Sequence, residues 1–222
     1  ASVIHYSKGI QTKQNILDVS RRLFYERGYD KVTLREIAAA SDANLGLLNY
    51  YFQGKGDLGM TIYFEVRKTL DSALKEFFPN RLGADDFLLS SAAELKMCLR
   101  SQQYGRFYLL MSKEPQFKKD INETIIRTMV KYAKQDYRLS DRAILASIST
   151  MATKPALVEH FYAYPDQLDE SMYLQYYLEM QLHQLNLGTE PYAGLFTAIQ
   201  SFSCSMRADF SPVIEPSEDC AT

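Results

Sequence analysis

Cysteine and histidine are scarce in the 222-residue sequence, which holds three of each. Cys98, Cys204 and Cys220 are far apart, odd in number and without a C-x-x-C pair. A disulfide framework is therefore excluded, and the thiols read as reduced ones in a cytoplasmic protein. His5, His160 and His183 are equally scattered, so no ligand pair has zinc spacing, and no metal is expected. His160 and His183 read as helix-surface or interface residues. No apolar run approaches the ~18 residues that a membrane span needs. The stretch Ala1 to Gln14 is polar and lacks the apolar core of a signal peptide. Neither a membrane partner nor export is expected. Period-two alternation is not sustained anywhere, so no strand is assigned. Neither an internal repeat nor a low-complexity tract is visible. Catalytic signatures are missing too: there is no G-x-S-x-G, no H-E-x-x-H, and no cysteine placed near a histidine by motif. The chain reads as a non-enzyme without a cofactor. Residues 54–59 do spell G-x-G-x-x-G, but an aromatic helix precedes them where a dinucleotide site needs a strand and a βαβ unit.

Net charge is only −2, yet it is unevenly distributed. Residues 1–60 carry eight basic and six acidic side chains, and the remaining 162 carry seventeen basic and 21 acidic ones. A mildly basic head on an acidic body is compatible with a local nucleic-acid face.

What is present is helical periodicity almost throughout. Ile16, Val19 and Leu23, widened by Leu17 and Phe24, predict a helix from about Thr12 to Arg27, with Gly28 as its C-terminal stop. Thr33 and Glu36 spell a T-x-x-E capping box, which starts a second helix sharply. After Ser41-Asp42-Ala43, Asn44 is the expected N-cap of a third helix with Leu48, Tyr51 and Phe52 on its inner side. A long helix is expected from Lys55 to about Phe78, stopped by Pro79-Asn80. Further helices are expected over 84–101, 102–113, 116–136, 140–163, 167–186 and 191–208, with Pro155 kinking or splitting one of them. Residues 211–222 hold two prolines and three acidic residues and read as a disordered tail.

Two short helices joined by a tight turn, after a longer one, make a helix-turn-helix, whose second short helix enters the DNA major groove. Four successive pieces carry a further signal: Phe24-Tyr25-Glu26-Arg27-Gly28-Tyr29, Thr33-Leu34-Arg35-Glu36-Ile37-Ala38, Gly46-Leu47-Leu48-Asn49-Tyr50-Tyr51-Phe52, and Lys55-Gly56-Asp57-Leu58. In residue type and spacing they resemble the DNA-binding domain of the TetR family, over about residues 10–60. The resemblance implies that Arg35 contacts a base or phosphate. It places Leu45, Gly46 and Asn49 toward bases, and Leu47, Tyr50 and Tyr51 along the sugar-phosphate backbone. Lys55 would bind a phosphate at a helix N-terminus; Thr33 would do so while capping, and Asn44 belongs to the same face. The chain departs from the family pattern at Leu45, Leu47 and Asn49, and adds Asp42 near the groove. Fewer charge contacts imply a shallower salt dependence. Leu45 can read a thymine methyl, and Asn49 can pair with adenine.

The expected architecture is all-α: residues 1–60 as a three-helix DNA-binding head, and residues 61–222 as a helical body for effector binding and dimerisation. Tyr104, Phe107, Tyr108 and Met111 share one helical face; Met129 and Tyr132 lie one turn apart; Tyr173, Tyr176 and Tyr177 form another stripe. These residues fit either a core and dimer interface or a pocket for an apolar or aromatic effector. The resemblance implies a homodimer built by the helices over 140–163 and 167–186. It also implies a near-palindromic operator released when the effector binds. The alternative is an all-α ligand-binding or interaction protein whose head has lost DNA binding.

Overall fold

The computed structural model describes residues 2–133 and 141–217. Ten α-helices and one two-stranded hairpin are found among the described residues. The helices are α1 (Ser2–Arg27), α2 (Leu34–Ala40), α3 (Leu45–Tyr51), α4 (Lys55–Phe77), α5 (Ala84–Arg100), α6 (Gln102–Met111), α7 (Pro115–Tyr132), α8 (Asp141–Ala163), α9 (Glu170–Gln184) and α10 (Ala193–Gln200).

The head follows from local chemistry. α1 starts at Ser2, well before the apolar stripe that announces it, and ends where Gly28 takes φ +93°. A side chain at that φ would be strained, so glycine fits the stop. Thr33 and Glu36 close the capping box in both directions at the start of α2. The Asn44 side chain accepts from the Leu47 N–H at 2.7 Å and caps α3. Asn15 of α1 donates to the Ser41 carbonyl at 2.8 Å, tying the first helix to the turn. Ile16, Phe24, Ile37, Leu48, Phe52 and Leu58 are at most 1% exposed and form the head's share of the core. Each such side chain contributes about 1.5–3 kcal/mol relative to exposure.

The body is built around α5, which is buried over most of its length and touches α4, α6, α8, α9 and α10. α8 continues through Pro155 as one helix, so the proline does not split it.

The C-terminal region corrects two expectations. The helix predicted over 191–208 ends at Gln200. Phe202–Met206 is instead strand β1, paired antiparallel with β2, Pro212–Pro216. Phe202, Cys204 and Met206 point inward at period two, while Ser203 and Ser205 alternate with them. The two prolines read as disorder stand at the ends of β2, an edge strand, where a missing N–H is tolerated. Residues 211–217 are therefore structured; the rest of the predicted tail, 218–222, lies outside the described residues. An isolated hairpin is marginal in water. This one is held by docking on α4 and α5, and by Phe210 at its turn, whose ring meets Phe107 at 5.1 Å and Tyr25 at 5.7 Å.

Candidate nucleic-acid interface and the cavity behind it

The buried stripe of α3 fixes what its other side presents. Leu48 is fully buried, so Asn49 and Tyr50 point to solvent, Tyr50 at 80% exposure. Gly46 and Asn44 are exposed as well, and Leu45 and Leu47 are half-buried. Arg35 and Thr33, on and before α2, are exposed beside them. This is a convex helix with short polar groups and one flat aromatic ring outward, a shape that fits a major groove.

Besides Asn44, which caps α3, and Tyr50, whose ring meets that of Tyr51 at 5.3 Å, Thr33, Tyr51 and Lys55 have internal partners. The Thr33 hydroxyl donates to Glu36 at 2.8 Å and accepts from the Glu36 N–H at 3.3 Å. The hydrogen bond from the Thr33 backbone, aided by Arg27, holds the Glu36 carboxyl well below its usual range, at about 2. Tyr51 is half-buried, its hydroxyl against Gly9 of α1. Lys55 lies over the ring of Tyr29, 4.4 Å from its centre, and burial lowers its pKa against the pull of Asp30, Glu114 and Glu36.

Tyr29 is also a joint. Its hydroxyl donates to Glu114, the residue before α7, at 3.2 Å. The N-terminal ends of α4, through Lys55, and of α7, through Glu114, thus converge on one ring of the head.

The same two helices wall a cavity of about 240 Å³ in the body. Tyr63 and Phe64 come from α4, Phe117, Ile121 and Ile125 from α7, and Phe87 from α5. Met151 of α8 adds an apolar side chain, and Ser91 and Glu94 of α5, Thr150 and Lys154 of α8, and Arg67 of α4 supply the polar end. Of the aromatic residues singled out in the sequence, Tyr108 and Tyr177 reach this cavity. Tyr104, Phe107, Met111 and Met129 are core instead, each at most 4% exposed. Tyr173 is buried against His160, its hydroxyl 2.8 Å from Nδ1. Tyr132 lines a neighbouring outer cavity, and Tyr176 faces solvent at 57% exposure. These seven are therefore not lining residues of the inner chamber, because helical spacing gives a face but not the neighbour that covers it.

The polar end holds charges that periodicity does not reveal. The Lys154 ammonium donates to Glu94 Oε2 at 2.6 Å, and Arg67 approaches that same oxygen at 3.6 Å. Tyr104 adds a hydrogen bond to Glu94 Oε1 at 3.3 Å. Burial works against ionisation of Glu94, but Arg67 and Lys154 outweigh it and hold the carboxyl at about 2. Burial also disfavours the charged form of Lys154, and Glu94 reverses that shift, raising its pKa. The Ser91 hydroxyl links Tyr177 at 2.9 Å and Gln181 at 3.1 Å to the same cluster. The available signal was a charged residue inside an otherwise apolar helix, as in Ala92-Ala93-Glu94-Leu95.

A helix-turn-helix head with an exposed α3 face is joined here to an all-helical body that holds a cavity. Residues 16–58 match the model of the tetR family of bacterial regulatory proteins. The chain is 35% identical over 68 residues to a probable HTH-type transcriptional regulator, YttP, of Bacillus subtilis (strain 168), covering 29% of this chain and 33% of that protein. It is 40% identical over 53 residues to the HTH-type transcriptional regulator AcrR of Shigella flexneri, covering 24% and 25%. The chain thus spans a third or less of the curated relatives it matches. As a fold it is similar to RolR, solved in complex with resorcinol, at a TM-score of 0.59 and 18% identity over 86% of this chain and 96% of that one. The N-terminal domain belongs to the tetR family, and the whole chain has a fold of the same all-helical kind. No helix among the described residues is long and apolar enough to cross a membrane.

Proposed function

We propose that this protein is a cytoplasmic DNA-binding transcriptional regulator, with residues 1–60 as its DNA-binding head and 61–222 as its effector-binding and dimerisation body. The observation that carries the reading is the outward face of α3, with Arg35 beside it, on a head whose sequence matches the tetR model. Gly46 and Asn49 approach base edges, with Leu45 at the thymine-methyl position. Leu47, Tyr50 and Tyr51 follow the backbone, and Thr33, Arg35, Asn44 and Lys55 flank it. Lys55 would exchange its place over Tyr29 for a phosphate.

The homodimer reading is supported by uncovered apolar residues on two packed helices. Ile144, Leu145 and Ile148 of α8 are 47–63% exposed, and Met172 and Tyr176 of α9 are 52% and 57% exposed. On α8 the three side chains lie within about one turn of each other, and a patch of exposed apolar side chains marks an interaction surface. A two-fold dimer would place two α3 helices about 34–36 Å apart on a near-palindromic operator.

The effector reading is supported by the chamber, and by RolR having been solved with a small aromatic ligand. A ligand between Phe117 and Tyr63 would press α7 and α4 apart. Both end on Tyr29, so the population would shift toward heads that no longer fit the operator.

The test is selection from a random duplex library with the full chain. Enrichment of a near-palindrome is expected, with affinity falling as salt rises. Arg35→Ala is expected to weaken the selected site by about 1–3 kcal/mol. No enrichment at low salt would overturn DNA binding and favour a ligand-binding protein.

A further inference from the structure

We propose that the chamber binds a small aromatic carboxylate, its ring among Phe64, Phe87, Phe117 and Met151 and its carboxylate against Lys154 and Arg67; this rests on reading the body as an effector domain. Three observations carry it.

The first is an imbalance of buried charge. Lys154 and Arg67 share one wholly buried carboxylate, Glu94, whose side chain is 4% exposed. The second acid nearby, Asp71, stands 3.5 Å from Arg67 but is 42% exposed and also holds the Ser90 hydroxyl. Water screens it, so the inner end of the chamber keeps an excess of positive charge. A buried charge without a full counterion is costly, and an entering carboxylate offsets that cost. A neutral ligand would not, and a cationic one would add to it.

The second is the approach. An outer cavity of about 360 Å³ shares Arg67, Asp71, Phe87 and Thr124 with the chamber. Its walls carry Arg67, Lys75, Arg127 and Lys131 against Asp71 and Asp86. A mouth with a cation excess raises the local concentration of anions.

The third is size and lining. An apolar cavity of about 150 Å³ accommodates benzene, so 240 Å³ has room for one or two rings with a polar head. The lining rings of Tyr63 and Phe117 meet edge-on at 4.9 Å, and Tyr108 and Phe117 at 6.0 Å. An inserted ring continues that arrangement. Lys154 sits at the far end, between the carboxylate of Glu94 and the ring of Tyr177, whose centre is 5.3 Å away.

The experiment is calorimetric titration of the full chain with benzoate, cinnamate and 2-naphthoate, each beside its own carboxamide. At least one carboxylate is expected to bind about tenfold or more tightly than its amide, a difference of about 1.4 kcal/mol. Lys154→Met should reduce that preference below about threefold. Met151→Trp, which fills the chamber and leaves the charges alone, should weaken acid and amide alike. Association of the wild-type chain with the carboxylate should slow as salt is raised, while that of the amide stays constant; this readout stands even where Lys154→Met does not fold. Amides binding as tightly as acids, blocked by Met151→Trp, would overturn the charge assignment and leave the effector chamber standing. Failure of all six compounds, or binding indifferent to Met151→Trp, would overturn both.

Discussion

Head and body place their charges in opposite ways. In the head, Arg35, Lys31 and Asp42 stand in solvent, and the pair of Arg27 with Glu36 is a surface pair that supports a cap. In the body, Glu94, Lys96 and Lys154 are at most 7% exposed. An exposed cation is free to meet an external polyanion such as DNA, and its loss barely disturbs the fold. A buried one is fixed by its partners and meets only what enters the protein. The same residue types therefore read outward in one half and inward in the other.

The largest break of this contrast is expected at Glu94. Glu94→Gln leaves Lys154 buried without a counterion and Arg67 with the exposed Asp71 alone, and should cost about 3–5 kcal/mol in urea unfolding. Combining it with Lys154→Met should recover part of that loss. A cost below about 1 kcal/mol would mean that water reaches the cluster and that the inward charges behave like surface ones.

Next in size is Phe210, which joins the two halves. Its ring touches Tyr25 of the head and Tyr104 and Phe107 of the body, and it is 2% exposed at φ +57°. Phe210→Ala should destabilise by about 3 kcal/mol from the lost packing. Hydrogen exchange should show faster opening of both the α1 end and the hairpin. Protection lost in the hairpin alone would mean that the turn does not clamp the head.

A smaller effect is expected at Tyr29. Tyr29→Phe keeps the ring under Lys55 and removes the hydrogen bond to Glu114, at a cost of about 1 kcal/mol. Its informative readout is the coupling between a chamber ligand and the selected operator, which should weaken. Unchanged coupling would show that the two halves communicate by another route.

The smallest concerns the cap. Glu36 has a folded pKa of about 2 against an ordinary value near 4.5. The folded value is the lower one, so this contribution to stability is present above about pH 4.5 and is lost as pH falls toward 2. Glu36→Gln should flatten that part of the acid limb of thermal unfolding. A limb of unchanged slope would show that the pair with Arg27 and Thr33 is already open in solution.

Legibility followed the same division. The head was readable at the level of single residues: the Thr33–Glu36 box, the Asn44 cap and the Leu48 and Phe52 inner stripe all stand where spacing placed them. These are contacts between residues three or four apart, set by helix geometry before any tertiary packing. The body's helices were largely readable as elements, but its site was not. Only Tyr108 and Tyr177 of the nine aromatic and methionine candidates reached the chamber. Phe107 and Met111 share their face of α6, yet Phe24 and Gly59 of the head cover them. The hairpin was missed because Pro212 and Pro216 signal breaks locally, and only a docked partner strand makes them strand ends.

By itself, the sequence determined the helical class, the three-helix head, its caps and the residues that α3 turns outward. Those depend on periodicity and on hydrogen bonds within a few residues. The tertiary structure decided which buried charges meet, which aromatic rings enclose space, and that Lys55 and Glu114 converge on Tyr29. The two partners of Tyr29 lie 26 and 85 residues from it in the chain. Only the packing of whole helices, driven by burial of their apolar faces, brings such distant residues within bonding distance.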